Sequence, residues 1–172
     1  MDPWPIGVFA SIDAGLGVGW DVISELKVPT IQLHAPHPDK RNQAAAESFR
    51  EQLNQMGVRC TAVFGGFEGE SYADIPTVVK TVGLVPESTR QARLQEMFDI
   101  SDFANWLGCD TVAMHIGFIP HDPSADGYED IVNVTRQLCD HCKQHGQFLH
   151  LETGQETADG LLSFINEVDR DN

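Results

Sequence analysis

Positive charge is scarce in this chain. Only 11 lysines and arginines stand against 26 aspartates and glutamates, a formal charge of −15 over 172 residues. A surface this acidic opposes approach to phosphate backbones and to anionic bilayers, so neither nucleic acid nor membrane is an expected partner. Long apolar runs are missing as well. No stretch approaches the ~20 residues that span a bilayer, and the opening Met1-Asp2-Pro3-Trp4-Pro5 lacks the basic and apolar regions of a secretory signal. Cysteine is confined to positions 60, 109, 139 and 142, without the dense framework of a small secreted domain. These absences lead us to expect a soluble cytoplasmic protein with reduced thiols.

Two short motifs invite functional readings that their context weakens. Cys139-Asp140-His141-Cys142, with His145 nearby, has the residue types of a zinc site. Ile131, Val134, Leu138 and Cys142, however, follow helical spacing, which assigns at least one thiol to the core, and no second Cys/His pair stands at a suitable distance. Gly15-Leu16-Gly17-Val18-Gly19 resembles a phosphate-cradling loop, but its third glycine comes one position early for a dinucleotide fingerprint, and no acidic residue closes the following strand. Neither zinc in that helix nor a nucleotide at that loop is expected.

What the chain does have, at 41% hydrophobic content, is enough apolar material for a single-domain core and a regular strand-helix alternation. Strands are expected over 5–12, 30–34, 60–64, 111–115 and 148–152, and helices over 20–27, 43–56, 88–107, 128–145 and 158–168. Gly57 and Gly108 stand as helix stops, and residues 65–87 form one long connection. Such alternation implies parallel strands joined by right-handed crossovers, in an open sheet or a barrel. Polar residues end several successive strands, and this favours a ring of loops converging on one site, hence an α/β TIM-type (β/α) barrel. About five of the eight units a closed barrel needs can be counted, so we expect the N-terminal part of one barrel domain over 1–172, stopping where a sixth strand would begin.

The chemistry concentrates at strand ends. Phe148-Leu149-His150-Leu151-Glu152 is a short apolar run that delivers a carboxylate to its last position, with Glu152, His150 and Phe148 on one face. Thr111-Val112-Ala113-Met114-His115 and Thr30-Ile31-Gln32-Leu33-His34 both end in histidine. A strand-end glutamate can also simply cap the next helix, and a strand-end histidine can be a satisfied hydrogen-bonding residue.

Three segments, Leu33-His34-Ala35-Pro36, Met114-His115-Ile116-Gly117 and Leu151-Glu152-Thr153-Gly154-Gln155-Glu156, resemble in order and spacing the xylose-isomerase-like barrels. That family includes sugar-phosphate isomerases and epimerases, hexulose 3-epimerases, inosose-metabolising enzymes and the endonuclease IV type of apurinic/apyrimidinic nuclease. The resemblance implies a divalent metal (Mn, Mg, Co or Zn) at the barrel mouth, with Glu152 as ligand, base or both. It places His115 in a catalytic position against substrate or metal, and His34, Gln32, Phe64 and Gln155 against a small sugar. The implied reaction is metal-dependent isomerisation or epimerisation of a sugar, sugar phosphate or polyol, by proton transfer next to a ketose carbonyl. The alternatives are an endonuclease IV-like phosphodiesterase and a non-catalytic sugar-binding module. Cys60-Thr61-Ala62-Val63-Phe64 offers no histidine where the nuclease pattern has a zinc ligand, and the net charge disfavours DNA. The family's further ligands would follow Asn172, so the isolated chain is expected to be inactive and either to self-associate or to gain order from a missing barrel half.

Overall fold

A computed structural model describes residues 4–13, 16–152 and 154–172. Its elements run β1 Gly7–Ala10, α1 Trp20–Leu26, β2 Thr30–His34, α2 Gln43–Met56, β3 Arg59–Gly65, α3 Ile75–Thr81, α4 Glu87–Leu107, β4 Thr111–His115, α5 Tyr128–Gln144, β5 Phe148–Glu152 and α6 Ala158–Val168. The strands form one five-stranded sheet in the order β1-β2-β3-β4-β5, with every neighbouring pair parallel. Neighbours in sequence are therefore neighbours in space, as in the wall of a (β/α) barrel, and five of that architecture's eight strands are present.

Alternation along the strands gives the wall two sides. Ile31, Leu33, Val63, Val112 and Met114, each at most 1% exposed, face the helices. There Met97, Ile100 and Phe103 of α4 and Ile131, Val134 and Leu138 of α5 complete the core. The other side carries Phe9, Gln32, His34, Phe64, His115 and Glu152, the set that would face the barrel axis.

Helix ends follow local chemistry. Asn42 accepts the Ala45 amide at 3.1 Å to start α2, Thr157 accepts the Gly160 amide at 3.1 Å to start α6, and Gly57 and Gly108 close α2 and α4 in left-handed conformation. No helix among the described residues is long and apolar enough to cross a membrane.

Two expectations need correction. The first strand is shorter than 5–12, because beyond Ala10 the chain pairs with its own loop: Ser11 donates to the Val18 carbonyl and Val18 to the Phe9 carbonyl, both at 2.9 Å. Gly17 makes that return possible, since a Cβ there would stand 2.5 Å from the Phe9 oxygen. That glycine serves a close backbone approach; Gly15 of the same motif lies outside the described residues. The long connection over 65–87 also contains a helix, α3. Its signal is local: Asp74 accepts the Thr77 amide at 2.9 Å as N-cap, and Pro76 follows in the first turn.

Candidate functional site at the carboxyl end of the sheet

Parallel register sets His115 beside Glu152 across β4 and β5, and His34 beside Phe64 across β2 and β3. All four therefore stand at the carboxyl ends of their strands and on the axial side. A cavity of about 910 Å³ opens there, walled by Phe9, His34, Phe64, Phe67, Tyr72 and Glu152 among others. The wall combines apolar rings with a few polar groups, a composition suited to a small polar molecule with apolar faces.

The two histidines present opposite ring polarity. His34 Nδ1 lies 3.1 Å from the Ala35 carbonyl oxygen, which can only accept, so Nδ1 carries the proton. Its Nε2 is then a lone pair, and it sits over Gly66, where a Cβ would be 3.0 Å away. Burial lowers the His34 pKa and holds that neutral form. His115 is the reverse. Its Nδ1 accepts the Gly117 amide at 3.0 Å, leaving Nε2 as the protonated donor. The His115 ring is 9% exposed and sits behind Tyr72, whose ring meets it edge-on at 5.9 Å. Gly154 keeps the Nε2 edge open, because a Cβ at that position would stand 2.7 Å from it.

Glu152 is exposed, and its carboxylate makes no hydrogen bond or ion pair among the described residues. Two other cavity carboxylates are engaged, while that of Glu68, like Glu152, makes no hydrogen bond or ion pair among the described residues. Glu70 accepts the Phe67 amide at 3.1 Å and the Gly83 amide at 2.7 Å, and Glu96 pairs with Arg41 at 2.7 Å. An unpaired anionic oxygen donor at the cavity mouth fits a hard divalent cation, with Glu152 as one of its ligands.

Sequence reasoning did not single out the machinery that shapes the mouth. Tyr72 reaches the cavity from the loop between β3 and α3, and its hydroxyl is pushed up to about 12 by burial, then by the charges of Glu70 and Glu152. That loop is gripped from α4. Arg93 donates to the Thr81 and Gly83 carbonyls at 2.7 Å and to Glu68 O at 3.4 Å, and its guanidinium lies 5.1 Å over the Phe67 ring. Arg90 donates to the Leu84 and Val85 carbonyls at 2.9 and 2.8 Å. The sequence did carry one signal, since Arg90 and Arg93 fall in helical spacing with Leu94, Met97 and Ile100, and the structure buries both to 6–8% exposure.

The remaining candidates, Gln32 and Gln155, do not line that cavity. Gln32 lines a separate recess of about 350 Å³ with Trp4, Val8, Thr30 and Thr61, nearer the amino end of the strands than His34. Gln155 donates to the Glu156 side chain in the loop after β5, and Glu156 also accepts the Gly154 amide at 3.0 Å. Thr153, between Glu152 and this loop, lies outside the described residues. Cys139 and Cys142 are 5% and 0% exposed in the core, where burial lifts the Cys139 thiol to about 11.

A family model described as xylose isomerase-like TIM barrel matches residues 20–172. A xylose isomerase domain protein from Planctomyces limnophilus shares 56% identity at a TM-score of 0.96, over 98% of this chain and 60% of that one. At the fold level, D-psicose 3-epimerase from Clostridium cellulolyticum H10, solved with D-tagatose, aligns at a TM-score of 0.66 and 14% identity, over 97% of this chain and 61% of that one. A xylose isomerase-like TIM barrel protein from Mycobacterium smegmatis, in complex with magnesium, aligns at 0.62 and 19% identity over 98% and 62%. The chain thus spans about three fifths of the length of these structures. No curated protein matches it in sequence.

Proposed function

The chain belongs to the xylose isomerase-like TIM barrel family, and from this we propose that it forms the wall of a sugar or polyol isomerase or epimerase that moves a proton at the carbon next to a ketose carbonyl. The observation that supports this most is the cross-strand pair at the mouth: an unengaged carboxylate, Glu152, beside an imidazole that presents an N–H, His115. Solved sugar 3-epimerases share the fold.

Each residue has a role that follows from its polarity. His34 Nε2, a lone pair, accepts a hydrogen bond from a sugar hydroxyl. His115 Nε2–H donates to a sugar oxygen and stabilises charge that gathers there as the neighbouring C–H is lost. Glu152 takes the proton or helps to hold a divalent cation. Bound there, such a cation would polarise the carbonyl and its neighbouring hydroxyl. Phe9, Phe64 and Phe67 supply apolar walls against which the C–H faces of a sugar ring can rest.

Endonuclease-type chemistry is disfavoured by the same geometry. With Nδ1 accepting the Gly117 amide, His115 has its proton on Nε2 and no lone pair to give a zinc ion there.

The test is proton exchange from solvent at the carbon next to a ketose carbonyl, in the complete protein loaded with manganese or magnesium. Glu152→Gln, which keeps shape and removes charge, is expected to abolish exchange and weaken metal binding. Wild-type exchange in that variant would overturn the assignment. Sugar binding without exchange in the wild type would point instead to a non-catalytic module.

A further inference from the structure

On the opposite, outer side of the fold, three side chains from two helices converge. Asp102 of α4 places one oxygen, Oδ1, 2.9 Å from His141 Nε2 and 2.9 Å from His145 Nε2, and all three donor atoms lie within 4.8 Å of one another. His141 and His145 are one helical turn apart, on the same face of the end of α5. The His141 ring is held by stacking on Phe98, 4.4 Å away and 15° from parallel, and the two imidazoles meet at 75° with centroids 5.5 Å apart. Side-chain exposures of 21%, 26% and 37% leave the group open to solvent on one side.

We propose that Asp102, His141 and His145 form a second metal site, for a late first-row divalent cation such as zinc. Two imidazoles and one carboxylate with an open fourth position are a recurrent zinc arrangement, and imidazole favours such ions over magnesium or calcium. Bonds of about 2.0–2.1 Å in a tetrahedron put ligand atoms roughly 3.4 Å apart, so each oxygen–nitrogen distance opens by about half an ångström from its hydrogen-bonded value. On binding, each neutral ring gives its Nε2 lone pair to the ion, and its single proton passes through solvent from Nε2 to Nδ1.

This site cannot share an ion with the mouth. Ser101, next to Asp102, donates to Gln147 Oε1 at 2.6 Å, and Gln147 immediately precedes β5, so the group sits at the amino end of the strand whose carboxyl end is Glu152. Four strand steps separate those ends, about 13 Å at 3.3 Å per residue. The thiols of the neighbouring Cys139-Asp140-His141-Cys142 motif do not contribute, because both are buried in the core. The motif's spacing is therefore misleading: its missing ligand comes from another helix. A cation here would clamp α4 to α5 and add stability by mass action.

The experiment titrates zinc alone into the 172-residue chain carrying Glu152→Gln, by calorimetry and thermal unfolding, with magnesium as the hard-ion control and cobalt as a spectroscopic probe. One zinc equivalent, a concentration-dependent rise in Tm, tetrahedral cobalt absorption and no comparable response to magnesium are expected. Loss of a supporting partner alone costs roughly 10–100-fold in affinity, so His141→Ala, His145→Gln and Asp102→Asn should each weaken zinc by about 100-fold or more. His145→Gln, the mildest of them, provides the reading, with circular dichroism as the check on folding, if the others do not fold. Absence of a zinc equivalent in the parent chain, unchanged affinity in folded His145→Gln, or loss of binding in Cys139→Ser instead would each overturn the proposal.

Discussion

Tyr72 rests edge-on against His115, with ring centroids 5.9 Å apart, and the charge of Glu152 helps to raise its phenol to about 12. The loop after β3 is thereby coupled to the β4–β5 pair by packing and electrostatics together. Glu152→Gln should lower the Tyr72 pKa toward its ordinary value of 10, since it removes one of the two anions that oppose phenolate formation. The tyrosine 13Cζ shift followed against pH, with Tyr72→Phe to assign the signal, measures this. An unmoved Tyr72 titration would mean that the two groups do not sense each other.

The opposed ring polarities of the two histidines are directly observable. Long-range 1H–15N correlation near pH 7.5 should show His34 protonated on Nδ1 and His115 on Nε2. In the complete protein, His115→Ala should lower kcat/KM by about 10²–10⁴-fold, the usual scale for a positioned proton-handling group, while sparing most metal binding. A His115 lone pair on Nε2 would reopen the metal-ligand role.

Acid should weaken the fold in part through His34. Its folded-state pKa lies below that of the unfolded chain, so the unfolded form takes up protons first as pH falls through 6.5. The stabilising contribution is fully present above 6.5 and is lost as pH drops through the lowered folded value. Urea midpoints at pH 7.5 and pH 5 should therefore differ less in His34→Gln than in the wild type. An equal or larger difference in the variant would count against a buried, neutral His34.

Gly83 should be the least replaceable glycine near the mouth. Its φ is +68°, and a Cβ would fall 2.0 Å from the Ile116 carbonyl oxygen, which also accepts the Leu84 amide at 2.8 Å. Gly83→Ala should cost about 2 kcal/mol or more, because left-handed strain and a backbone clash coincide. Gly69→Ala, also at positive φ but with nothing within 4 Å, should cost less, and chemical denaturation of both variants compares them.

The isolated chain should self-associate and turn over no ketose. Both edge strands carry exposed apolar side chains nearby: Trp4 and Ile6 ahead of β1, and Phe148, Leu162 and Ile165 around β5 and α6. A monodisperse, active monomer by light scattering and ketose assay would contradict this.

The fold was legible because its signals are local and repeated. Runs such as Thr30–His34 and Thr111–His115, and helices stopped by Gly57 and Gly108, carry their own period and punctuation, and the structure bounds both strands where the pattern does. α3 escaped because seven residues give too little periodicity, leaving only its cap to announce it. At the mouth, strand ends named His34, His115 and Glu152, but Tyr72 arrives from a loop whose course is set by buried arginines on another element. The Asp102 group was hidden for the same reason: His141 and His145 are four apart in sequence, while their carboxylate is 39 residues from the first. Gln32 shows the limit of face alternation, which fixes the side of a sheet but not the depth along it.

The hydrogen bonds by which Arg90 and Arg93 hold the mouth loop all go to main-chain oxygens, those of Glu68, Thr81, Gly83, Leu84 and Val85. Carbonyl oxygens are the same whatever residue bears them. Beyond these ties, Glu70 accepts the Phe67 and Gly83 amides, Thr81 bonds the Ser71 backbone, and Val82 and Leu84 are buried. The exposed Tyr72 makes none of these bonds, so it can be exchanged without loosening the loop. Under the proposed function, the wall that carries Glu152 and His115 and the position of Tyr72 can therefore change separately, and a substitution at Tyr72 would retune which small molecule is bound with that wall left untouched.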